Sequence, residues 1–411
     1  MNPGANDRPL DPADLPPPTL VQDGRALRAL LDDLDRARDV AVDTEGDSLY
    51  SYQERVCLIQ VTANERDWLV DPLCGLDLSG LGACLADPSK RKVFHDGEYD
   101  VLTLKRDHDF HFQNLFDTRV AAATLGSKTP GLATVLQERF GIALDKSMQR
   151  SNWGQRPLSD KQIRYARLDT HFLIPLMHEQ IPELQRTARD VIVASECSRL
   201  EALEPPDHGF GPEEWVRIKG ARALQPLDRQ VLRELFQLRD VLARSENEPP
   251  FRVLNNETLL ALAVTKPRTR QALQAVPGFS PRQSRKFGDD VLAAITRGLE
   301  LGPLTRFPRL ESREGTDDFD EEQIELHERL KQLRKVVAEE AGIDSAYVLN
   351  RHVLRRIALE RPFDLAGLAR IGGVHAWQIE RFGARLVDVV VGFEDERRRG
   401  VLPIPARRRR P

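Results

Sequence analysis

The sequence predicts a layered α/β domain followed by two small all-helical domains that repeat one another. Three observations predict this. From Leu20 to about Gln180, short apolar strand-like runs alternate with helical stretches. Beyond about Leu203 the strand-like runs stop and the rest reads as helical. Within that helical part, adding 95 to a residue number maps one stretch onto another.

In the first part, Gly24 to Arg38 reads as a helix. Val40 to Thr44, Arg55 to Thr62 and Asp67 to Val70 read as strands, with a short fourth at Val93-Phe94-His95. Tyr99 to Lys105 and Ala121 to Leu125 read as helices, and Leu132 to Phe140 as a helix stopped by Gly141. Ser159-Asp160-Lys161-Gln162 is a capping box, and the helix it opens is expected to run towards Leu176.

The repeat maps Val253-Leu254-Asn255 onto Val348-Leu349-Asn350, Leu259 onto Leu354, Pro267 onto Pro362, Gly278 onto Gly373 and Phe287-Gly288 onto Phe382-Gly383. Two copies point to two domains of one fold rather than a solenoid, which needs three or more units. The expected division is a leader over 1–19, the α/β domain over 20–204, a linker over 205–224 and a helical domain over 225–301. A second linker over 302–320, a second helical domain over 321–393 and a basic tail over 394–411 complete it.

The chain of 411 residues is 40% hydrophobic and 30% charged, with a net charge of −4 and a pI near 6.2. A nucleic-acid surface, if present, is therefore local, because clustered acids hide basic patches in the sum. Cys57, Cys74, Cys84 and Cys197 have neither metal-knuckle nor CxxC spacing, so reduced thiols are expected. The first 18 residues lack the apolar core of a secretory signal, and no run is long enough to span a bilayer. A cytoplasmic protein without a membrane partner is expected.

Five residues carry the chemistry. Asp43 and Glu45 end an apolar run at i, i+2, which places them on one side of a strand. Asp100 closes His95-Asp96-Gly97-Glu98-Tyr99-Asp100. Tyr165 and Asp169 lie at i, i+4, on one face of the capped helix. Each motif alone has a structural explanation: a solvated turn, a helix-dipole contact, a tyrosine–aspartate hydrogen bond at a core edge. Together they set four carboxylates against one another, an arrangement that a cation relieves. Hard oxygen ligands suit Mg²⁺ or Mn²⁺, and a pair of such ions serves in-line attack on a phosphodiester.

The order Asp-x-Glu, then Asp, then Tyr-x₃-Asp resembles the DEDD superfamily of 3′–5′ exonucleases, in its tyrosine branch. Phe116-Asp117-Thr118, Ser151-Asn152-Trp153 and Arg156-Pro157-Leu158 extend the likeness to the ribonuclease D family, and the two helical copies resemble HRDC domains. The resemblance covers residues 20 to 393 and fills all five catalytic positions. It implies a ribonuclease-H-like fold, a mixed five-stranded sheet flanked by helices, followed by two all-α HRDC-like domains. It implies two divalent cations, Mg²⁺ or Mn²⁺, held by Asp43, Glu45, Asp100 and Asp169, with Tyr165 orienting the attacking water. The implied activity is release of nucleoside 5′-monophosphates from RNA with a free 3′-OH, such as tRNA precursors, with no obligate protein partner.

Tyr99 and Trp153 are candidates for stacking on bases; packing of its loop is the structural alternative for Trp153. Arg282, Arg285 and Lys286 are candidates for phosphate contact in the first helical copy. Two other functions stay open: a 3′–5′ DNA exonuclease, since the same acids would cut DNA ends, and a catalytically silent RNA-binding scaffold. The complete set of acids argues against the second. A helicase component is excluded because no phosphate-cradling Gly-rich loop with lysine occurs.

Overall fold

The computed structural model describes residues 15–206, 210–308 and 319–402. Parts of the expected leader, both linkers and the tail lie outside these residues. The N-terminal part carries β1 (Thr19–Val21), β2 (Asp39–Gly46), β3 (Val56–Ala63), β4 (Arg66–Val70), β5 (Arg91–Phe94) and β6 (Leu115–Asp117). They form one sheet in the order β1-β4-β3-β2-β5-β6. The β2/β3 and β3/β4 pairs are antiparallel and the others parallel. The sheet has six strands rather than the five expected. β1 and β6 have three residues each, too few to show a period-2 pattern.

The helices of this part are α1 (Gly24–Arg36), α2 (Ser79–Ala86), α3 (Glu98–His108), α4 (Thr118–Thr124), α5 (Leu132–Phe140), α6 (Asp160–His171), α7 (Leu173–Arg186) and α8 (Asp190–Glu201). Alternation along β2 decides what each face meets. Val40 and Val42 join Leu30 and Leu34 of α1 and Leu81 of α2 in one core. Ala41 turns the other way, to Leu173 and Met177 of α7. On that second face Leu58 and Leu69 pack against Ala166 of α6. The helix expected to run from Ser159 to Leu176 is broken at Phe172. Pro175 lacks an amide hydrogen, and its ring would meet the carbonyl of His171 one turn back.

The helical part repeats element by element. The first copy contains α9 (Pro226–Glu246), α10 (Pro250–Val253), α11 (Asn256–Thr265), α12 (Arg270–Gln274) and α13 (Pro281–Glu300). The second contains α14 (Glu321–Ala341), α15 (Ser345–Val348), α16 (Arg351–Glu360), α17 (Leu365–Ala369), α18 (Ala376–Gln378) and, after a π turn, α19 (Ala384–Arg398). Both copies cap the third helix with asparagine, Asn255 or Asn350. In both, an arginine crosses to a backbone carbonyl: Arg239 to Leu254 at 3.2 Å and Arg334 to Leu349 at 3.0 Å. Each copy has its own hydrophobic core.

The described ends of the expected linkers and tail are more structured than composition suggested. Trp215 in the segment over 205–224 is fully buried in the first copy's core, with Phe307 of the next segment packed edge-on at 5.3 Å. Arg397 and Arg398, read as tail, belong to α19, where Arg397 pairs with Glu394. At the other end, the Leu15 carbonyl accepts a hydrogen bond from Arg167 at 3.4 Å, and Thr19 opens β1.

One buried network pins α6 onto the sheet. Arg167 donates to Asp67 on β4 through Nε at 3.2 Å and Nη2 at 3.0 Å, with both side chains buried. His171 Nδ1 lies 2.9 Å from both oxygens of the same carboxylate. Thr62 donates to Asp67 at 2.8 Å and sits 2.8 Å from Thr170 on the helix. Removing one partner of a buried pair leaves the other charge unmatched. Arg167→Met is therefore expected to destabilise the chain by about 3–5 kcal/mol, read as a lower urea midpoint; an unchanged midpoint would show that α6 is held by apolar packing alone.

Candidate active site

The five residues singled out in the sequence line one cleft of about 480 Å³. Each arrives on an element fixed by its local sequence. Asp43 and Glu45 lie near the end of β2, a strand flanked by β3 and β5. Asp100 is in the first turn of α3 and is 5% exposed. Tyr165 and Asp169 lie one turn apart on α6, whose capping box forms as expected between Ser159 and Gln162.

The start of α3 is set by a tight approach and a clamp. A Cβ on Gly97 would come within 2.6 Å of Phe94 Cβ, so no larger residue fits that turn. Asp117 accepts hydrogen bonds from the amides of Asp96 at 3.1 Å and Gly97 at 2.8 Å. The same carboxylate caps α4 through Arg119 at 2.8 Å and Val120 at 3.1 Å. The sequence did not show this clamp, because it joins residues on two separate elements. Thr44, also missed, donates to Asp100 at 2.5 Å and fixes one of its oxygens.

Asp43, Glu45 and Asp169 each offer a carboxylate oxygen within 4.8 Å of the others. Asp169 Oδ2 is buried with no hydrogen-bond partner among the described residues. A convergent set of hard oxygen donors with an unused buried lone pair fits a divalent cation. Asp100 stands beside this trio on the same cleft and completes it electrostatically.

Burial and mutual repulsion push these acids up. Glu45 rises to about 9, through burial first and then Asp169 and Asp100. Asp169 rises to about 8 through burial and Asp100. Asp43 is raised well above the carboxylate range by burial, Asp100, Asp169 and Glu45. Asp100 rises only to about 6, because Thr44 offsets its burial. Burial and the neighbouring acids also raise the Tyr165 phenol, so it keeps its proton and acts as a donor at neutral pH.

The proposed nucleic-acid contacts divide. Tyr99 is 48% exposed and stands at the rim of the cleft. Trp153 is 1% exposed and packs with Leu58, Leu69 and Ala166, its ring 5.9 Å from Tyr165. Its place under α6 makes it a core residue that supports Tyr165, not a surface for bases. Arg282, Arg285 and Lys286 are exposed on α13 and do not line the acidic cleft; Lys286 pairs with Glu246. Arg282 and Lys286 line a separate cavity of about 250 Å³ together with Arg252.

The first helical copy reaches the cleft through the loop between β2 and β3, whose Ser48 and Leu49 form part of its wall. Tyr52 donates to Asp240 of α9 at 2.6 Å and receives a hydrogen bond from Arg244 at 3.2 Å. Arg252 lies over the Tyr50 ring at 4.4 Å, and Tyr50 donates to the Arg150 carbonyl at 2.7 Å. The second copy meets α8, where Trp377 donates to Ser195 at 2.9 Å and Arg381 to the Ala188 carbonyl at 2.6 Å. No helix among the described residues is long and apolar enough to cross a membrane.

Residues 18–185 match the 3′–5′ exonuclease family, and residues 228–295 and 323–390 each match the HRDC domain. The chain is 30% identical over 384 residues to ribonuclease D of Sphingobium indicum, covering 91% of this chain and 94% of that one. It is 34% identical over 291 residues to the exosome complex component 10 homolog of Caenorhabditis elegans, covering 69% of this chain but 33% of the relative. This chain thus spans a third of that relative's length. Among solved structures, the catalytic core of RRP6 from Trypanosoma brucei superimposes with a TM-score of 0.65 at 26% identity, over 71% of this chain and 82% of that one. Escherichia coli RNase D shares the fold with a TM-score of 0.65 at 24% identity, over 91% of this chain and 99% of that one.

The raised acids predict the pH response of the cation-free protein. Their folded values exceed the ordinary carboxylate value near ~4, so the folded state holds more protons than the unfolded one. Their contribution to stability is greatest below ~4 and is lost as pH rises through about 6, 8 and 9. With chelator present, the melting temperature is expected to fall between pH 6 and pH 9, and Asp43→Asn to raise it at pH 8. A melting temperature that climbs over that range, with no gain in the variant, would show that the acids do not repel in the folded state.

Proposed function

This chain belongs to the ribonuclease D family of 3′–5′ exoribonucleases, and from that premise we propose that it trims the 3′ ends of structured RNA, such as tRNA precursors, one nucleotide at a time. The observation that carries the mechanism is the convergence of Asp43, Glu45 and Asp169 in a cleft shared with Asp100 and Tyr165. The family uses divalent metal; Mg²⁺ or Mn²⁺ is our assignment for this site, from its all-oxygen donor set. Bound there, such cations lower the pKa of water towards neutrality and offset charge gathering on the phosphate.

The chain's own residues supply placement. Asp43, Glu45 and Asp169 would hold the cations, with Asp100 ligating through the oxygen that Thr44 leaves free. Tyr165, protonated, donates to the attacking water or to a phosphate oxygen and aligns the attack, since a phenol raised above its usual value is a poor base. Tyr99 at the rim is the candidate surface for the terminal base. The three cores support three working parts: the exonuclease unit over 20–204 and the HRDC units over 225–301 and 321–393. Exposed Arg282, Arg285 and Lys286 are the candidate contacts for the body of the RNA. We place the protein in the cytoplasm, working without an obligate protein partner.

The test is digestion of 5′-labelled RNA and matched DNA, with Mg²⁺, Mn²⁺ or chelator. Stepwise shortening of RNA that needs the cation and yields nucleoside 5′-monophosphates is the expected result. A preference for DNA would favour the DNA exonuclease, and no shortening of either polymer would favour the scaffold. Asp43→Asn is expected to slow cleavage by roughly 10³-fold while RNA still binds in a filter assay. Tyr165→Phe is expected to slow turnover by roughly 10²-fold with little change in the cation concentration needed. Full turnover in the phenylalanine variant would reduce Tyr165 to a packing residue.

A further inference from the structure

Gln60 lies in the middle of β3 and is 0% exposed. Neither its Nε2 nor its Oε1 has a hydrogen-bond partner among the described residues. Buried polar groups are nearly always paired, because leaving one unmatched is unfavourable. The sheet register shows what surrounds this amide. Gln60 stands opposite Asp43 on β2 and opposite Leu69 on β4. Cross-strand partners project from the same face, and so do Leu58 and Thr62, two residues away along the strand. Leu58 and Leu69 are apolar. The Thr62 hydroxyl is already engaged with Asp67 and Thr170. Asp43 is the neighbour in the sheet with acceptor capacity to spare. From above, α6 adds Asp169, whose Oδ2 is also buried and unpartnered. An unused donor therefore faces Asp43 across the strand pair, under a helix that carries an unused acceptor on Asp169.

We propose that Gln60 is a positioning residue for the cation site. When a cation draws Asp43 towards Glu45 and Asp169, the Gln60 amide, unpartnered without it, would donate to the Asp43 carboxylate and hold that rotamer. The proposal rests on the reading of those three acids as cation ligands. Metal-binding carboxylates are ordinarily held by hydrogen bonds from surrounding groups. At a site flanked by Leu58 and Leu69 an aliphatic side chain would satisfy packing equally well. Trp153, buried in the same cluster as Leu58 and Leu69, also has an unpartnered Nε1, so a bond from the indole to Gln60 is the structural alternative; only the orienting role ties the amide to cation affinity.

The test uses Gln60→Met, which keeps the length and volume of the side chain and removes both polar atoms. Mn²⁺ binding to the full chain is measured by calorimetry, together with the rise in melting temperature on adding Mn²⁺ to chelator-treated protein. The cation-free variant is expected to melt no lower than the parent. Its half-saturating Mn²⁺ concentration is expected to rise roughly 10–100-fold, with cleavage recovered at saturating Mn²⁺. A folded variant that binds Mn²⁺ like the parent overturns the proposal while leaving the cation site intact. A parent chain that binds no Mn²⁺ overturns the cation site itself, and the role of Gln60 with it. If the methionine variant does not fold, Gln60→Asn decides: its shorter arm keeps the amide but draws it back from Asp43, and the same loss of affinity is expected. Parent-like affinity in the asparagine variant overturns the proposal.

Discussion

Four carboxylates held in one cleft repel each other, and the architecture around them opposes that repulsion. None of the acids stands on a free loop. Asp43 and Glu45 are carried by a strand with partners on both sides. Asp100 is carried by a helix whose first turn is clamped from β6 by Asp117. Asp169 is carried by a helix pinned to β4 through Arg167 and Asp67. Each element is anchored by contacts other than the acid it presents, so relaxing the repulsion would mean breaking a buried pair or a strand ladder. The same repulsion that raises the acids towards protonation raises their affinity for any cation that can replace the protons. Proton affinity and metal affinity are two readings of one electrostatic arrangement.

The cleft is lined by the exonuclease unit alone but is braced from outside it. Its wall includes Ser48 and Leu49, and the loop bearing them is held from outside by Asp240, Arg244 and Arg252 of the first helical copy. Tyr50 and Tyr52 alternate along that loop and both engage this copy, while Ser48 and Leu49 line the cleft. Seating of the first HRDC unit and the shape of the cleft are therefore mechanically linked. The second copy contacts α8 instead, which packs against β6 and the α3 side of the sheet.

The sequence made legible what depends on short-range pattern. The i, i+2 acids of β2, the i, i+4 pair of α6 and the Ser159 capping box all follow from one-dimensional spacing, and all appear where the spacing placed them. The repeat was legible because the two copies match without gaps, down to helix ends 95 residues apart. What escaped was long-range or too short to be periodic. β1 and β6 are three-residue strands that exist through pairing. The Asp117 clamp, the Thr44 hydroxyl on Asp100 and the Tyr52 contact with α9 join residues far apart in the chain. Trp153 shows the opposite error: an aromatic beside a catalytic motif suggested base stacking, but burial under α6 decided its role.

The two HRDC copies keep one core while their surfaces differ. Arg239 and Arg334 make the same internal bond, and Lys266 and Arg361 both end their helix in the left-handed region, so the scaffold is held constant. The surface positions differ. Arg282 and Lys286 of the first copy correspond to Trp377 and Arg381 of the second. In the second copy this position pair docks on α8 and the adjoining turn, through the indole N–H and a guanidinium. In the first copy it stays exposed beside a polar cavity, with Lys286 paired to Glu246. Conversely, Asp240 and Arg244 grip Tyr52 in the first copy, while their counterparts Lys335 and Glu339 pair only loosely with each other at 4.0 Å. The two copies therefore touch the exonuclease unit with overlapping faces: Asn247 and Arg252 meet Tyr52 and Tyr50, and their counterparts Gly342 and Tyr347 meet Arg189 and the exonuclease core. The positions that dock the second copy on α8 and its adjoining turn are left exposed on the first, where Lys286 pairs with Glu246 instead, so docking is set by the residues at those positions and not by the fold.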